Sequence, residues 1–255
     1  GSWWAGDLNA QGVPHGTQRL GSPRGYYRLD FDGSDYVDTY RTFHTHEDQQ
    51  FHASFNTPRF RGWAERLIAY RDLYGRSFDQ TPPVVRRDLG DMLMLTSEDL
   101  AGGTWLAVNV WNGSAKSVVF AAINGGDAMQ AERTQSGTGE EKLRGPEFAD
   151  PLAMAMQATQ SSVAARSVDG GEDTAGYTTW QGVEWQGEPG PFQGWMLTNN
   201  SHHLWRLDLP TDLPVGTHTV EITVTDRHDR VFRDTIAFEV VEELPNLEWQ
   251  AEFWE

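Results

Sequence analysis

A chain of 255 residues carries 37 Asp and Glu against 20 Lys and Arg, a net charge of −17, and no Cys. That balance argues against a nucleic-acid backbone or an anionic membrane surface as partner, and the missing thiols exclude disulfides, thiolate zinc and thiol catalysis. No apolar run approaches the roughly 20 residues of a membrane-spanning helix.

The chain opens on Gly1-Ser2-Trp3-Trp4, without an initiator Met or a visible signal peptide, and reads as a piece of a longer polypeptide. Residues 1–25 hold six Gly and two Pro, which predicts irregular chain lying against another surface. Tyr26–Asp32 and Tyr36–Phe43 alternate on either side of Gly33-Ser34, the pattern of a hairpin, and Gln50–Phe55 predicts a third strand of the same small antiparallel sheet. The period then changes. Trp63, Leu67, Tyr70 and Tyr74 recur at helical spacing, with Gly75 placed to stop the helix. Residues 59–91 thus read as a helical insertion between strands, serving either as a packing element or as a lid.

Strands resume at Met92–Leu95, Trp105–Trp111 and Ser117–Ile123, and Asn112-Gly113 carries the signal of a tight turn between the last two. Asp150-Pro151 has the form of a helix N-cap with Pro at the first helical position. Residues 159–200 form a long Gly-rich, aromatic loop, a length that points to function or to docking on a neighbour. The clearest pattern follows. Leu204–Leu209 reads as a strand, and from Thr217 to Val224 the residues Val220, Ile222 and Val224 fall on one face with Thr219, Glu221 and Thr223 on the other. A polar turn at Asp226–Asp229 leads to a partner strand bearing Phe232, Ile236, Phe238 and Val240. The expected fold is all-β with minor helical insertions: a small antiparallel sheet, then an immunoglobulin-like sandwich. Its parts are 1–95 with the insertion at 59–91, 96–243 with the loop 159–200, and an acidic aromatic tail at 244–255.

Candidate chemistry is sparse. His44 and His46 stand two apart, so on a strand both could reach one metal, with His52 downstream; scattered surface histidines are the plainer reading. Asp226, Asp229 and Asp234 crowd the last hairpin and could bind Ca²⁺, but they lack the spacing of an EF-hand, and hairpin turns favour Asp for backbone reasons alone. His202, His203 and His218 stand in or beside the sandwich strands; His203, next to Leu204 and Trp205, reads as a satisfied, half-buried polar group, since a catalytic His needs a base or nucleophile partner that the sequence does not supply. Trp180, Trp185 and Trp195 either line a carbohydrate face or pack into a core.

Several motifs in fixed order carry a resemblance. Trp4-Ala5-Gly6, Gly12-Val13-Pro14, Ser22-Pro23-Arg24-Gly25-Tyr26 and Phe31-Asp32-Gly33 are followed by Val108–Gly113, Asp150-Pro151, His203–Arg206, Leu209-Pro210, Gly216-Thr217-His218 and Phe238-Glu239-Val240. This order resembles the C-terminal region of bacterial calcineurin-like phosphoesterases. The resemblance implies a non-catalytic accessory region, packed on its own catalytic domain upstream and shaping access to its site, in a secreted, periplasmic or cell-surface protein. Divalent metal ions belong, on this reading, to the catalytic domain and no cofactor to this chain. The family's D-x-H, G-D, G-N-H-D/E and G-H-x-H ligand motifs are not present as a set, so the resemblance supplies no catalytic residue. Contacts to the catalytic domain are expected from Trp4, Pro14 and Tyr26 and from Trp180, Trp185 and Trp195. Two departures stand out: Leu20 replaces an acidic residue before the Gly-Tyr, and Asp229 replaces a turn Gly. Other readings are a carbohydrate-binding module or a self-assembling extracellular sandwich.

Overall fold

The computed structural model describes residues 21–43, 45–74, 86–135, 143–156 and 201–245. Strands β1 (Gly25–Asp32) and β2 (Asp35–Thr42) pair antiparallel in register from Gly25↔Thr42 to Asp32↔Asp35. Gly33 takes φ +61° in the two-residue loop between them, a value that a residue without Cβ adopts freely.

The expected third strand of this sheet goes elsewhere. β3 (Phe51–Asn56) pairs with β5 (Trp105–Val110), and the sheet runs β3-β5-β9-β8, with β8 at Glu132–Arg133 and β9 at Leu204–Asp208. The reason is burial. Phe51 and Phe55 are almost wholly shielded, and the hairpin, exposed along most of its length, offers nothing to shield them. A second sheet runs β4-β11-β10-β6-β7, formed by β4 (Met94–Thr96), β6 (Val118–Ile123), β7 (Met129–Gln130), β10 (Gly216–Thr225) and β11 (Val231–Val241). Among the described residues the β4–β11 pair is parallel and the other pairs are antiparallel.

One core joins the two sheets. Phe51, Phe55, Val108 and Leu207 from the first meet Val119, Val220, Ile222 and Phe238 from the second, so the sheets form a sandwich. Phe55 and Phe238 touch across it, with ring centroids 4.8 Å apart. On β10, His218, Val220, Ile222 and Val224 are all buried, as the alternation predicts. β5 is buried on both faces: Leu106, Val108 and Val110 enter the core, while Trp105 and Ala107 pack with Leu204 behind it.

The Asn112-Gly113 turn does not make the tight hairpin its letters signal. β5 and β6 lie in different sheets, and neither residue has positive φ. Residues 111–117 instead cross from one sheet to the other. Gly113 is needed there for space, because a Cβ would sit 2.7 Å from the buried Trp205 ring and 2.9 Å from the Val110 carbonyl oxygen. Gly113→Ala is therefore expected to destabilise the fold by about 1–3 kcal/mol, the usual cost of overpacking, read by urea denaturation.

Helix α1 (Pro58–Tyr74) starts on Thr57, whose Oγ accepts from the Phe60 amide at 3.0 Å, with Pro58 at the first helical position. Phe60, Trp63, Ala64 and Leu67 form a stripe at i, i+3, i+4, i+7 and bury against Leu89, Ala149, Met154 and Ala155. The helix is a packing element. A short helix, α2 (Ser97–Ala101), is fixed by a capping box between Thr96 and Asp99. Asp150 caps the helical residues 151–156, its Oδ1 accepting from the amides of Leu152 and Ala153 at 3.0 and 3.2 Å. No described helix is long and apolar enough to cross a membrane.

Candidate functional site

The most organised polar cluster lies where the hairpin meets the sandwich. Asp38 on β2 is buried, and its carboxylate accepts from Asn112 Nδ2 at 2.7 Å, Arg227 Nε at 3.0 Å and His228 Nε2 at 2.5 Å. An ionised carboxylate can only accept, so the His228 proton is on Nε2. Burial alone would raise the Asp38 carboxyl, but the hydrogen bonds from Arg227, His228 and Asn112 outweigh it and hold the group well below the usual carboxylate range. Arg227 is held above its ordinary value by the same contact.

Arg230 completes the joint, donating to the Asp38 carbonyl at 2.9 Å and to Thr39 Oγ at 2.7 Å. Asp226 aims Arg230: its Oδ2 accepts from Arg230 Nε at 2.7 Å, and its Oδ1 accepts from the amides of His228 and Arg230. Asp226 is thus occupied by protein donors. Asp229 takes φ +61°, the left-handed turn conformation for which the family's Gly is suited and which Asp tolerates.

Above this joint the hairpin and the sandwich edge enclose an open groove of about 400 Å³, lined by Tyr27, Leu29, Phe31, Tyr36, Asp38, Asn112 and Arg227. Its hairpin wall follows from register, since Tyr27↔Tyr40, Leu29↔Asp38 and Phe31↔Tyr36 are directly opposed and share one face. Tyr27 and Tyr40 pack with centroids 5.0 Å apart, Phe31 and Tyr36 at 5.9 Å. Exposure climbs from 1% at Tyr40 to 70% at Phe31, so the base is docked and the tip is bare. Burial and the neighbouring Asp38 push the Tyr27 phenol up, which keeps it neutral.

A second cluster sits behind β5. His52 Nε2 lies 2.7 Å from Asp150 Oδ2, which also accepts from Asn109 Nδ2 at 2.7 Å, while Trp111 Nε1 donates to His52 Nδ1 at 2.9 Å. With Nδ1 accepting, Nε2 is the donor, and both ring nitrogens are engaged. Burial would raise the Asp150 carboxyl, but His52, Asn109 and the Ala153 amide hold it low. The arrangement clasps strand, loop and helix together and leaves no nitrogen for proton transfer.

The residues singled out from sequence fall in separate places. Tyr26 lies on the face of β1 opposite the groove, exposed, its ring 6.0 Å from that of Phe43; its neighbour Tyr27 enters the groove. His46 is solvent-exposed beside Asp48 at 3.1 Å. Trp4, Pro14, His44, Trp180, Trp185 and Trp195 lie outside the described residues. Among the described residues, no three or more His, Asp or Glu side chains are arranged to hold a metal ion. His218 is buried, accepting at Nδ1 from Asn124 at 2.8 Å and reaching the Pro214 carbonyl with Nε2 at 2.8 Å. His203 is less well served than its half-buried reading suggests. Its Nδ1 is buried without a hydrogen-bond partner, and burial together with the Arg133 charge holds the imidazole below its ordinary value, hence neutral.

The family model for the C terminal of calcineurin-like phosphoesterase matches residues 1–169 and 159–232. The chain belongs to that family. No curated protein and no solved structure matches it. As a phosphoesterase C-terminal region it goes with a catalytic phosphoesterase domain, and both clusters above join parts of that region to one another. Neither Asp38 nor the His52–Asp150 pair was marked from sequence as functional. Asp38 looks like one polar position of an alternating strand, and its partners lie 189 and 190 residues away at Arg227 and His228. The signal available was the Val108–Gly113 motif of the resemblance, since it holds Asn112, which donates to Asp38.

Proposed function

We propose that this region is the non-catalytic C-terminal accessory part of a secreted, metal-dependent calcineurin-like phosphoesterase, stabilising the catalytic domain and shaping access to its site. The family match along most of the chain carries this reading. We propose an immunoglobulin-like sandwich as its core. With β4 set apart as an extra edge strand parallel to β11, the others lettered in chain order read A-B-E-D for β3-β5-β9-β8 and G-F-C-C′ for β11-β10-β6-β7, which supports that architecture. The divalent metal ions belong to the catalytic domain, where they would activate the nucleophile and neutralise the phosphate. The location that goes with this role is secreted, periplasmic or cell surface, and cell fractionation reads it directly.

The test compares the catalytic domain with and without this region. Joined to it, the domain is expected to unfold at higher temperature and to show an altered KM for phosphodiesters, while the isolated 255-residue chain hydrolyses neither phosphomonoesters nor phosphodiesters with added Mn²⁺ or Zn²⁺. Metal-dependent turnover that follows the isolated chain through purification and disappears in His46→Ala would overturn the reading.

A further inference from the structure

We propose that the aromatic groove beside the β1–β2 hairpin is the surface on which the catalytic phosphoesterase domain of the same polypeptide docks; this rests on the accessory role argued above. A two-stranded hairpin is marginal in water, yet on its groove face this one holds Phe31 at 70%, Tyr27 at 51% and Tyr36 at 50% exposure, with Leu29 close to half exposed. Contiguous apolar surface of this kind marks an interaction site. The hairpin is not loose, since Asp38, Thr39 and Tyr40 are tied down at its base. A rigid base under an uncovered aromatic tip is a preorganised contact, with little ordering cost on association.

The chemistry of the groove selects a protein surface over an ionic ligand. The cation among its described lining residues, Arg227, is ion-paired with Asp38, and Asp38 is occupied by Asn112, Arg227 and His228. What the groove offers is aromatic and aliphatic wall with its charges neutralised, suited to an apolar, aromatic-rich protein face. Connectivity selects which protein. The family is the C-terminal part of its phosphoesterases, so the catalytic domain precedes it in the chain, and the β1–β2 hairpin is the first described element of the fold. Sharing one polypeptide makes the encounter of the two parts intramolecular, which raises their effective concentration.

The experiment uses the full-length polypeptide containing both parts. A photo-crosslinking residue is placed at position 31 or 36 of this numbering, and at the exposed Leu73 of α1 as a control. Crosslinks to the catalytic domain are expected from 31 and 36 and none from 73. The double variant Phe31→Ser, Tyr36→Ser is expected to lower the catalytic domain's unfolding midpoint by roughly 2–4 °C, as a loss near 1 kcal/mol does in a domain of about 150–250 residues, and to leave the midpoint of the isolated 255-residue chain in place. Crosslinks that join two copies of the chain, or soluble glycans that protect positions 31 and 36, would overturn the proposal. Crosslinks to the catalytic domain from 73 alone would overturn the groove while the accessory role stands. A catalytic domain indifferent to removal of the whole region would defeat both.

Discussion

Asp38→Ala is expected to release the β1–β2 hairpin from the sandwich at a cost of roughly 2–4 kcal/mol in docking. Removing one partner of a buried charge cluster costs ~3–5 kcal/mol, and the figure is reduced because Arg227 and His228 keep some access to water. The substitution strands Arg227, His228 and Asn112 together, since all three donate to that one carboxylate. Hydrogen exchange should speed up across Gly25–Thr42, and protease should cut there, while β10 and β11 stay protected. Acid should imitate the variant. The folded carboxyl lies below its ordinary value, so its stabilising contribution is complete above pH ~4 and is lost as pH falls through the folded value. Wild type and variant are therefore expected to converge at low pH. Protection of the hairpin in Asp38→Ala equal to wild type at pH 7 would show that aromatic packing and the Arg230 and Tyr40 hydrogen bonds suffice to hold it.

Asp150→Ala is expected to act on the whole fold, with a loss of about 3–5 kcal/mol by urea denaturation. The carboxylate has several duties at once: it accepts from His52 and Asn109 and caps the helical residues 151–156. Gly21 lies against the same carboxylate, close enough that a Cβ there would meet its Oδ2 at 2.7 Å. Asp150→Asn separates the roles. It retains an oxygen for the helix cap, worth ~1 kcal/mol, and loses the charge facing His52, so it should fall between Asp150→Ala and wild type. The pH dependence has the same sign as for Asp38, because His52, Asn109 and the Ala153 amide hold this carboxyl low as well. Stability from Asp150 is present above pH ~4 and lost on further acidification. An Asp150→Asn variant as unstable as Asp150→Ala would assign the whole effect to the hydrogen bonds that the carboxylate accepts from His52 and Asn109.

Local periodicity revealed the elements and left their pairing open. β10 and β11 announce themselves by strict alternation, α1 by its apolar stripe, and the Asp150 cap by its following proline, because each of these signals lies within a dozen residues. Which sheet a strand joins depends on partners far along the chain. β3 follows the hairpin closely, yet its neighbour is β5; the Asn112-Gly113 letters promise a hairpin, yet β5 must be covered on both faces, which sends β6 to the opposite sheet. β7 and β8, two residues each, are too short to show a period. The site was hidden for the same reason. His52 drew notice through its proximity to His46, whereas its true partner, Asp150, stands 98 residues away and read only as a helix cap.

The joint at Asp38 also sets an order of events during synthesis. β1 and β2 are contiguous and can pair soon after they leave the ribosome, whereas Arg227 follows Asp38 by 189 residues. At ~5–20 residues per second, that arrival comes roughly 10–40 s later. β4 likewise waits for β11, and β5 for β9. For that interval the aromatic hairpin exists without its anchor, and the upstream catalytic domain has time to fold before a rigid surface is offered to it. Closure of the 226–230 turn on Asp38 would then act as a completion signal, since a chain truncated anywhere before Arg227 lacks Arg227, His228 and Arg230, three of the groups that fix the hairpin.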